Sequence, residues 1–164
     1  MQPVLRTIKV SDNIRLAEII RQSLLEFNAA KPGTVYYDPT TDHLTKLFTK
    51  AASRFYVLEI EGILVGGAGI YPTDNLPSGT CELVKFYIDS SARGKGYGKL
   101  LLHACETAAR ELGYSTIYLE SMPELNIALP LYEKMGYKYI PAALGNSGHT
   151  GCTVFMIKEL SLPA

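Results

Sequence analysis

The sequence predicts an α/β domain on a mixed, mostly antiparallel sheet of about seven strands, flanked by about four helices. Two patterns predict this class. Apolar and polar residues alternate in several short runs, as in half-buried strands, whereas in other runs apolar residues recur at three- and four-residue steps, as on one face of a helix. The length of 164 residues, without repeats or linker-like stretches, indicates a single domain over residues 1–164.

The first half of the chain predicts a strand, a helix and a loop before a hairpin. Residues 4–10 alternate, and Ser11 or Asp12 can cap a helix that continues to about Phe27. Residues 28–42 contain prolines, a glycine and many polar side chains, which predicts a loop. The remaining elements of this half are a short helix, two hairpin strands joined by a Glu-Gly turn and a further strand: 43–52, 55–60, 63–71 and 81–89.

Helical and strand patterns alternate in the second half. The predicted elements are a helix, a strand, a helix, a strand and, after a polar loop, a last strand: 97–112, 115–121, 123–135, 137–142 and 152–160. Pro130 lies inside the predicted helix 123–135, where a proline costs about 3 kcal/mol. We therefore expect a kink or a late helix start near Pro130.

Charge and cysteine content narrow the class of protein. Lys+Arg and Asp+Glu number 16 each, which argues against nucleic-acid binding because that requires a basic surface. We expect neither a signal peptide nor a membrane span, since the chain shows no such leader and no apolar run of about 18 residues. Cys81, Cys105 and Cys152 lack metal-type spacing, which predicts small core residues in a cytoplasmic setting and no metal site.

A glycine-rich run, SARGKGYGK at residues 91–99, directly follows a predicted strand and begins a predicted helix. The first backbone N–H groups of a helix have no partner within it, and the helix dipole favours negative charge there. Gly94, Gly96 and Gly98 would let a phosphate approach those groups without meeting a side chain. Three basic side chains could add donors at the rim of such a site: Arg93, Lys95 and Lys99.

Spacing excludes two common phosphate-binding motifs. A dinucleotide fingerprint beginning at Gly94 would need glycine or alanine at position 99, which is lysine. A P-loop would need serine or threonine after Gly98-Lys99, but position 100 is leucine. The remaining alternative to a phosphate site is a tight glycine-rich turn without a ligand.

Arg93, Gly96 and Gly98 fit the pattern R-x-x-G-x-G, and at this point the sequence resembles the GCN5-related N-acetyltransferase (GNAT) family. The stretch ALPLYEKMGY, residues 128–137, is similar to the family's later motif A-x-x-L-Y-x-x-x-G-F. The resemblance implies an acyl-CoA N-acyltransferase fold with acetyl-CoA as cofactor. It places the pyrophosphate on the glycine run and the pantetheine arm beside strand 81–89.

The resemblance also implies a set of cofactor-binding residues. Asn126 stands one position after the place where the family often has an asparagine, which is Leu125 here. The expected contacts are Phe86, Tyr87, Ile88, Arg93, Gly94, Lys95, Gly96, Tyr97, Gly98, Lys99 and Asn126.

Acetyl transfer to an amine requires an unprotonated nucleophile, and a lysine-type amine is neutral only about once in 2,500 molecules at pH 7. A base must therefore accept a proton, and the departing thiolate benefits from a proton donor. The resemblance implies that Tyr132, the tyrosine of the later motif, points at the thioester sulfur and is that donor. The alternative is a tyrosine that only packs its helix against the sheet.

Glu82 is the preferred base, because it stands six residues before Ile88, where the GCN5-type histone enzymes place their catalytic glutamate. Strand alternation predicts Glu82, Val84, Phe86 and Ile88 on one face. A carboxylate there is either partly buried with a raised pKa or solvated at the start of the strand. Glu120, at the end of strand 115–121, and a chain of water molecules are the alternatives.

The fold implied by the resemblance places the acceptor site between loops 29–43 and 144–151. Five side chains of these loops are candidates for contacting the acceptor: Tyr36, Tyr37, Asp38, His43 and His149. We expect the acceptor to be a primary amine of a small molecule or a peptide. The family often forms dimers, so a homodimer is compatible with the resemblance, and a CoA-binding regulatory or partner-binding domain without turnover is the alternative function.

Overall fold

The computed structural model describes residues 2–161 and shows them as one sheet with helices on both faces. The strands are β1 (Pro3–Thr7), β2 (Arg54–Ile60), β3 (Ile63–Tyr71), β4 (Thr80–Ile88), β5 (Thr116–Ser121), β6 (Lys138–Ile140) and β7 (Val154–Glu159). The α-helices are α1 (Asn13–Glu26), α2 (Leu44–Leu47), α3 (Tyr97–Glu111) and α4 (Ala128–Lys134). The order across the sheet is β1-β2-β3-β4-β5-β7-β6, and the β4–β5 pair alone is parallel within residues 2–161. The predicted fold class is confirmed.

The start of the chain departs from the predicted boundaries. β1 ends at Thr7, three residues before the predicted end, because Val10–Asp12 form a 3-10 turn that leads into α1. The Asp12 carboxylate stabilises this turn by accepting hydrogen bonds from the Lys9 backbone N–H at 2.7 Å and from the Arg6 guanidinium at 2.8 Å.

α4 begins five residues later than the pattern predicted. It starts at Ala128, so Pro130 is its third residue. The first four N–H groups of a helix have no partner within it, and a proline there removes no helical hydrogen bond. The late start expected from Pro130 is confirmed.

The sheet opens between β4 and β5. These strands pair only where Thr80–Glu82 lie beside Thr116–Tyr118. Beyond that point β4 continues along β3, whereas β5 continues along β7. The C-terminal halves of the two central strands therefore diverge, and their separation leaves the opening in which the candidate site lies.

A β-bulge in β4 reverses the strand's alternation. Lys85 has a φ of 55°, in the left-handed region, and the register against β3 shifts between Gly67 and Gly69. One extra residue in the strand turns every later side chain to the opposite face.

The prediction that Glu82, Val84, Phe86 and Ile88 share a face is therefore wrong. Phe86 and Ile88 pack with Leu83 against the α3 side of the sheet, whereas Tyr87 packs on the α1 side. The pattern failed because alternation counts residues, and a bulge adds one residue without advancing the pairing.

Two apolar cores lie on the two faces of the sheet. Cys81 and Cys105 are fully buried in the α3 core, and Cys152 packs half-buried against the α1 core. Burial raises the pKa of the Cys81 and Cys152 thiols to about 12, so they remain protonated at neutral pH. Cys81 and Cys105 are core residues, as predicted, whereas Cys152 is only partly buried and also lines the cavity described below. None of the helices described within residues 2–161 combines the length and apolar character of a membrane span.

Candidate active site

A cavity of about 600 Å³ occupies the opening between β4 and β5, within the usual size range of small-molecule sites. Its walls come from β4, β5, the glycine-rich run, α1, α4 and two residues of the polar loop before β7, His149 and Cys152. Most of the expected cofactor contacts line it: Phe86, Tyr87, Ile88, Arg93, Gly94, Gly96, Tyr97, Gly98 and Lys99. Lys95 and Asn126 are exposed and lie outside this lining.

Glycine is required at the three positions of the run for two different structural reasons. Gly94 and Gly96 have φ values of 75° and 83°, which favour glycine, and a Cβ at either position would meet no atom within 4 Å. A Cβ at Gly98 would instead lie 2.8 Å from the Leu131 side chain and 3.3 Å from Phe86. The first two glycines leave open space beside the start of α3, and the third lets α3 pack closely against Leu131 and Phe86.

The Arg93 side chain anchors the glycine-rich run to its neighbours. Its guanidinium donates to the Ile88 carbonyl at 2.9 Å, to Glu26 at 2.8 Å and to the Ser23 hydroxyl at 3.1 Å. It also lies over the Phe27 ring, 4.9 Å from the centroid. Arg93 therefore joins the run to β4 and α1, and its contact with a pyrophosphate stays a prediction.

Gly96→Val is expected to weaken binding of coenzyme A by about tenfold or more. A left-handed backbone costs a side-chain-bearing residue about 1–2 kcal/mol, and a β-branched side chain would enter the space expected to hold the diphosphate. Isothermal titration with coenzyme A measures the effect. Gly113→Val is the matched control, since Gly113 has a φ of 90° and equally open surroundings at the far end of α3. Unchanged affinity in Gly96→Val would argue against a phosphate site here.

Tyr132 of α4 lines the same cavity. Its ring packs against Phe86 and Tyr137, with centroids 5.9 Å and 5.8 Å away. Burial raises the pKa of Tyr132 well above its usual range, so the hydroxyl keeps its proton at neutral pH and can donate it.

Glu82 lies on β4 at the last position paired with β5, and only 3% of it is exposed. Burial raises its pKa to about 7, the hydrogen bond from the Thr73 hydroxyl at 2.6 Å opposes that rise, and the nearby Glu120 charge adds to it. Glu82 is therefore a buried carboxyl with a raised pKa and not a solvated one, and it can exchange a proton near neutral pH.

Glu120, the alternative base, is held by hydrogen bonds to both of its oxygens. Tyr118 donates to one at 2.6 Å and Ser147 to the other at 2.5 Å. Glu82, Glu120 and His149 each place a ligand-type atom within 4.8 Å of the other two. These atoms could reach one metal ion, but Glu120 and His149 already bind protein partners, and the expectation of no metal site stays a prediction.

A buried lysine that the sequence analysis did not select completes this end of the cavity. Lys85 places Nζ 3.0 Å from Asp38 Oδ2, and His149 Nε2 lies 2.7 Å from the same oxygen. Burial would raise the pKa of Asp38, but the hydrogen bond from His149, the charge of Lys85 and the bonds from Thr40 hold it well below its usual range. The sequence signal that could have identified this buried lysine is its position between apolar residues in the run LVKFY.

Only some of the loop candidates for acceptor contact come together. Asp38 and His149 meet directly, and His149 lines the cavity. Tyr36 and Tyr37 pack against each other with centroids 5.0 Å apart, outside the cavity lining. His43 lies beside the outer surface of α1.

A mixed sheet that opens at its centre, with a glycine turn leading into a helix beside the opening, is the architecture of acyl-CoA N-acyltransferases. The sequence profile of the Acetyltransferase (GNAT) family matches residues 18–137. The chain belongs to this family, whose members take the acetyl group from acetyl-CoA.

Individual relatives agree with this assignment. The uncharacterized N-acetyltransferase YjgM of Escherichia coli is 39% identical over 96% of this chain and 95% of its own. A GNAT-family acetyltransferase from Staphylococcus aureus has a TM-score of 0.83 and 19% identity, covering 98% of this chain and 100% of its own. The yncA protein of Salmonella typhimurium, a putative acetyltransferase solved with acetyl-CoA, has a TM-score of 0.72 and 19% identity, covering 100% and 97%.

Proposed function

We propose that this protein transfers the acetyl group of acetyl-CoA directly to a primary amine of a small molecule or a peptide. One observation carries the proposal: Tyr132, Glu82 and the glycine turn all line one cavity. A proton donor, a proton acceptor and an anion site are the groups that such a transfer requires.

Glu82 is the proposed base. With a pKa of about 7 it is substantially ionised at neutral pH and can accept the proton that the amine must lose. Glu120 raises the pKa of Glu82, and its own oxygens are already engaged by Tyr118 and Ser147. This arrangement supports Glu82 over Glu120 as the acceptor of the proton.

Tyr132 is the proposed acid. When bound, acetyl-CoA supplies a thioester whose carbonyl carbon is open to attack by the amine. The new C–N bond forms as the C–S bond breaks, the amine proton passes to Glu82, and the sulfur takes a proton from the Tyr132 hydroxyl. The products are an amide and the thiol of coenzyme A, and Tyr132 regains a proton in exchange with Glu82 or water.

The residues that would hold the cofactor follow from the lining of the cavity. Backbone N–H groups at Gly94, Gly96 and the start of α3 would bind the diphosphate, with Lys99 at the rim. Phe86, Tyr87 and Ile88, on the part of β4 that has left β5, would lie beside the pantetheine arm.

Release of coenzyme A thiol from acetyl-CoA tests this function. We expect thiol release that depends on an added primary amine and saturates with it. Binding of acetyl-CoA without release above background, for any amine of a broad panel, would favour a CoA-binding regulatory or partner-binding domain instead. Mass measurement of the acceptor, which gains one acetyl group, identifies the product.

We also propose that the protein is cytoplasmic and forms a homodimer. The three cysteines are free thiols, which supports a reducing cytoplasmic setting. The homodimer suggested by the family resemblance is tested by light scattering coupled to size-exclusion chromatography.

A further inference from the structure

Two loops meet at the end of the cavity that contains Glu82. Glu82 stands six residues before Ile88 on β4, so this end lies away from the glycine turn along the strand. Thr34 of loop 29–43 and His149 of loop 144–151 both line the cavity, and a His149 ring nitrogen lies within 4.8 Å of a Glu82 carboxylate oxygen. We call this end of the cavity the acceptor end.

The two loops touch through their main chains. The Gly151 N–H donates to the Gly33 carbonyl at 2.8 Å. A Cβ at Gly33 would lie 2.8 Å from the Gly151 nitrogen, and a Cβ at Gly151 would lie 2.8 Å from the Pro32 carbonyl oxygen. This contact between residues 32–34 and 149–151, which we call the seam, closes only because glycine stands on both sides.

A partly buried ion pair reinforces the seam. Asp38 belongs to the first loop, His149 to the second and Lys85 to the bulge of β4, and one Asp38 oxygen forms an ion pair with Lys85 and a hydrogen bond with His149. Lys85 is 5% exposed, so leaving its ammonium without Asp38 would be costly. The ion pair therefore joins both loops to the central strand.

The second loop is also held on its far side. The Asn146 N–H donates to the Asp74 carbonyl at 2.8 Å, and the Leu144 N–H donates to the Tyr118 hydroxyl at 3.1 Å. A Cβ at Gly145 would lie 2.8 Å from that same Asp74 oxygen. Residues 144–151 are thus bonded to the β3–β4 loop, to β5 and to the first loop, and they form a fixed wall.

We propose that the acceptor is a small free amine that enters the acceptor end whole, and that the enzyme does not act on the terminus or a lysine of a polypeptide. The inference rests on the proposed function and narrows it. A polypeptide acceptor needs an open groove or a strand edge along which its chain can continue. Here the seam joins the two loops beside the acceptor end, so a chain that continued between them would have to break the Gly33–Gly151 bond and displace His149 from Asp38.

The charges at the acceptor end agree with such a substrate. Glu82, Glu120 and Asp38 are acidic, and Lys85 together with His149 already binds Asp38. The two remaining carboxylates attract a small ammonium ion, which releases one proton to the solvent before the neutral amine attacks and passes a second proton to Glu82.

The unmodified protein provides the first test. Thiol release from acetyl-CoA is compared between small primary amines (alkyl amines, diamines, free amino acids and amino sugars) and short peptides with a free N terminus or a single lysine. We expect the best small amine to exceed the best peptide in kcat/KM by about tenfold or more. A peptide whose kcat/KM equals or exceeds that of every small amine overturns this inference but still supports the proposed acetyl transfer. Bound acetyl-CoA without turnover on either class overturns the proposed function and this inference with it.

A matched pair of variants tests the seam. Gly33→Ala introduces a Cβ into it, whereas Gly62→Ala, in the β2–β3 turn, has nearly the same φ (78° against 75°) and no atom within 4 Å. We expect Gly33→Ala to raise KM for small amines and to reduce their advantage over peptides by about tenfold, because one hydrogen bond and the loop contact are lost. Gly62→Ala should behave as the unmodified enzyme. A folded Gly33→Ala protein with unchanged KM and unchanged selectivity overturns the role of the seam.

Discussion

Tyr132→Phe is expected to lower kcat by about a hundredfold while the affinity for acetyl-CoA is retained. The substitution removes only the hydroxyl, and the ring contacts with Phe86 and Tyr137 remain, so the fold is preserved. A group that acts only in the transition state affects turnover more than ground-state binding. Steady-state kinetics and isothermal titration with acetyl-CoA measure the two quantities separately.

Tyr137→Phe is the matched control for this experiment. Tyr137 packs against Tyr132, but its hydroxyl is buried with no hydrogen-bond partner among residues 2–161, and it lies outside the cavity lining. Its removal should leave kcat unchanged. Normal turnover in Tyr132→Phe would exclude Tyr132 as the proton donor, and an equal loss in both variants would indicate a packing effect.

Glu82→Gln is expected to lower kcat/KM at pH 8 by about a hundredfold, because glutamine has the shape of glutamate but cannot accept the proton. In the unmodified enzyme kcat/KM should rise with pH and level off above about 7, where the Glu82 carboxyl is ionised. The variant should lose that rise. Initial rates between pH 5.5 and 9, at saturating acetyl-CoA, give the two profiles.

Glu120→Gln separates the two candidate bases. The Glu120 charge raises the pKa of Glu82, so its removal should move the rise in kcat/KM to lower pH without abolishing it. A flat profile in Glu120→Gln together with a normal profile in Glu82→Gln would assign the base to Glu120. A normal profile in both variants would favour a chain of water molecules.

The Glu82→Gln variant should be more stable than the unmodified protein, although its kcat/KM is expected to be lower. The pKa of Glu82 is about 7 in the folded protein against 4.5 for the ordinary group, so the neutral form favours folding. The contribution of the neutral carboxyl is complete below pH 4.5 and is lost as the pH rises through about 7. Glutamine does not ionise, so the stability advantage of the variant should grow between pH 5 and pH 8, up to about 3 kcal/mol. Chemical denaturation at both pH values measures it, and an advantage that does not change with pH would contradict burial of an ionisable group.

The sequence by itself determined the fold class and the order of the elements, and it indicated where the cofactor should bind. Periodicity is a local property, so the strand patterns at 55–60 and 63–71 and the helical stripe of 97–112 could be recognised without the rest of the chain. The glycine-rich run could be recognised for the same reason, since an anion site at a helix start consists of consecutive backbone groups. Pro130 marked the late start of α4 because its effect on a helix is also local.

The tertiary structure alone decided which side chains face one another. The bulge at Lys85 depends on the register against β3, and it moved Phe86 to the face opposite the one that alternation predicted. The ion pair of Lys85, Asp38 and His149 joins residues separated by up to 111 positions, and no local pattern encodes such a contact. Neighbours distant in sequence also give Glu82 its raised pKa and place Gly33 against Gly151. These contacts form only when the whole chain has folded, and for that physical reason the sequence indicated the class of chemistry while the fold decided the geometry of the acceptor end.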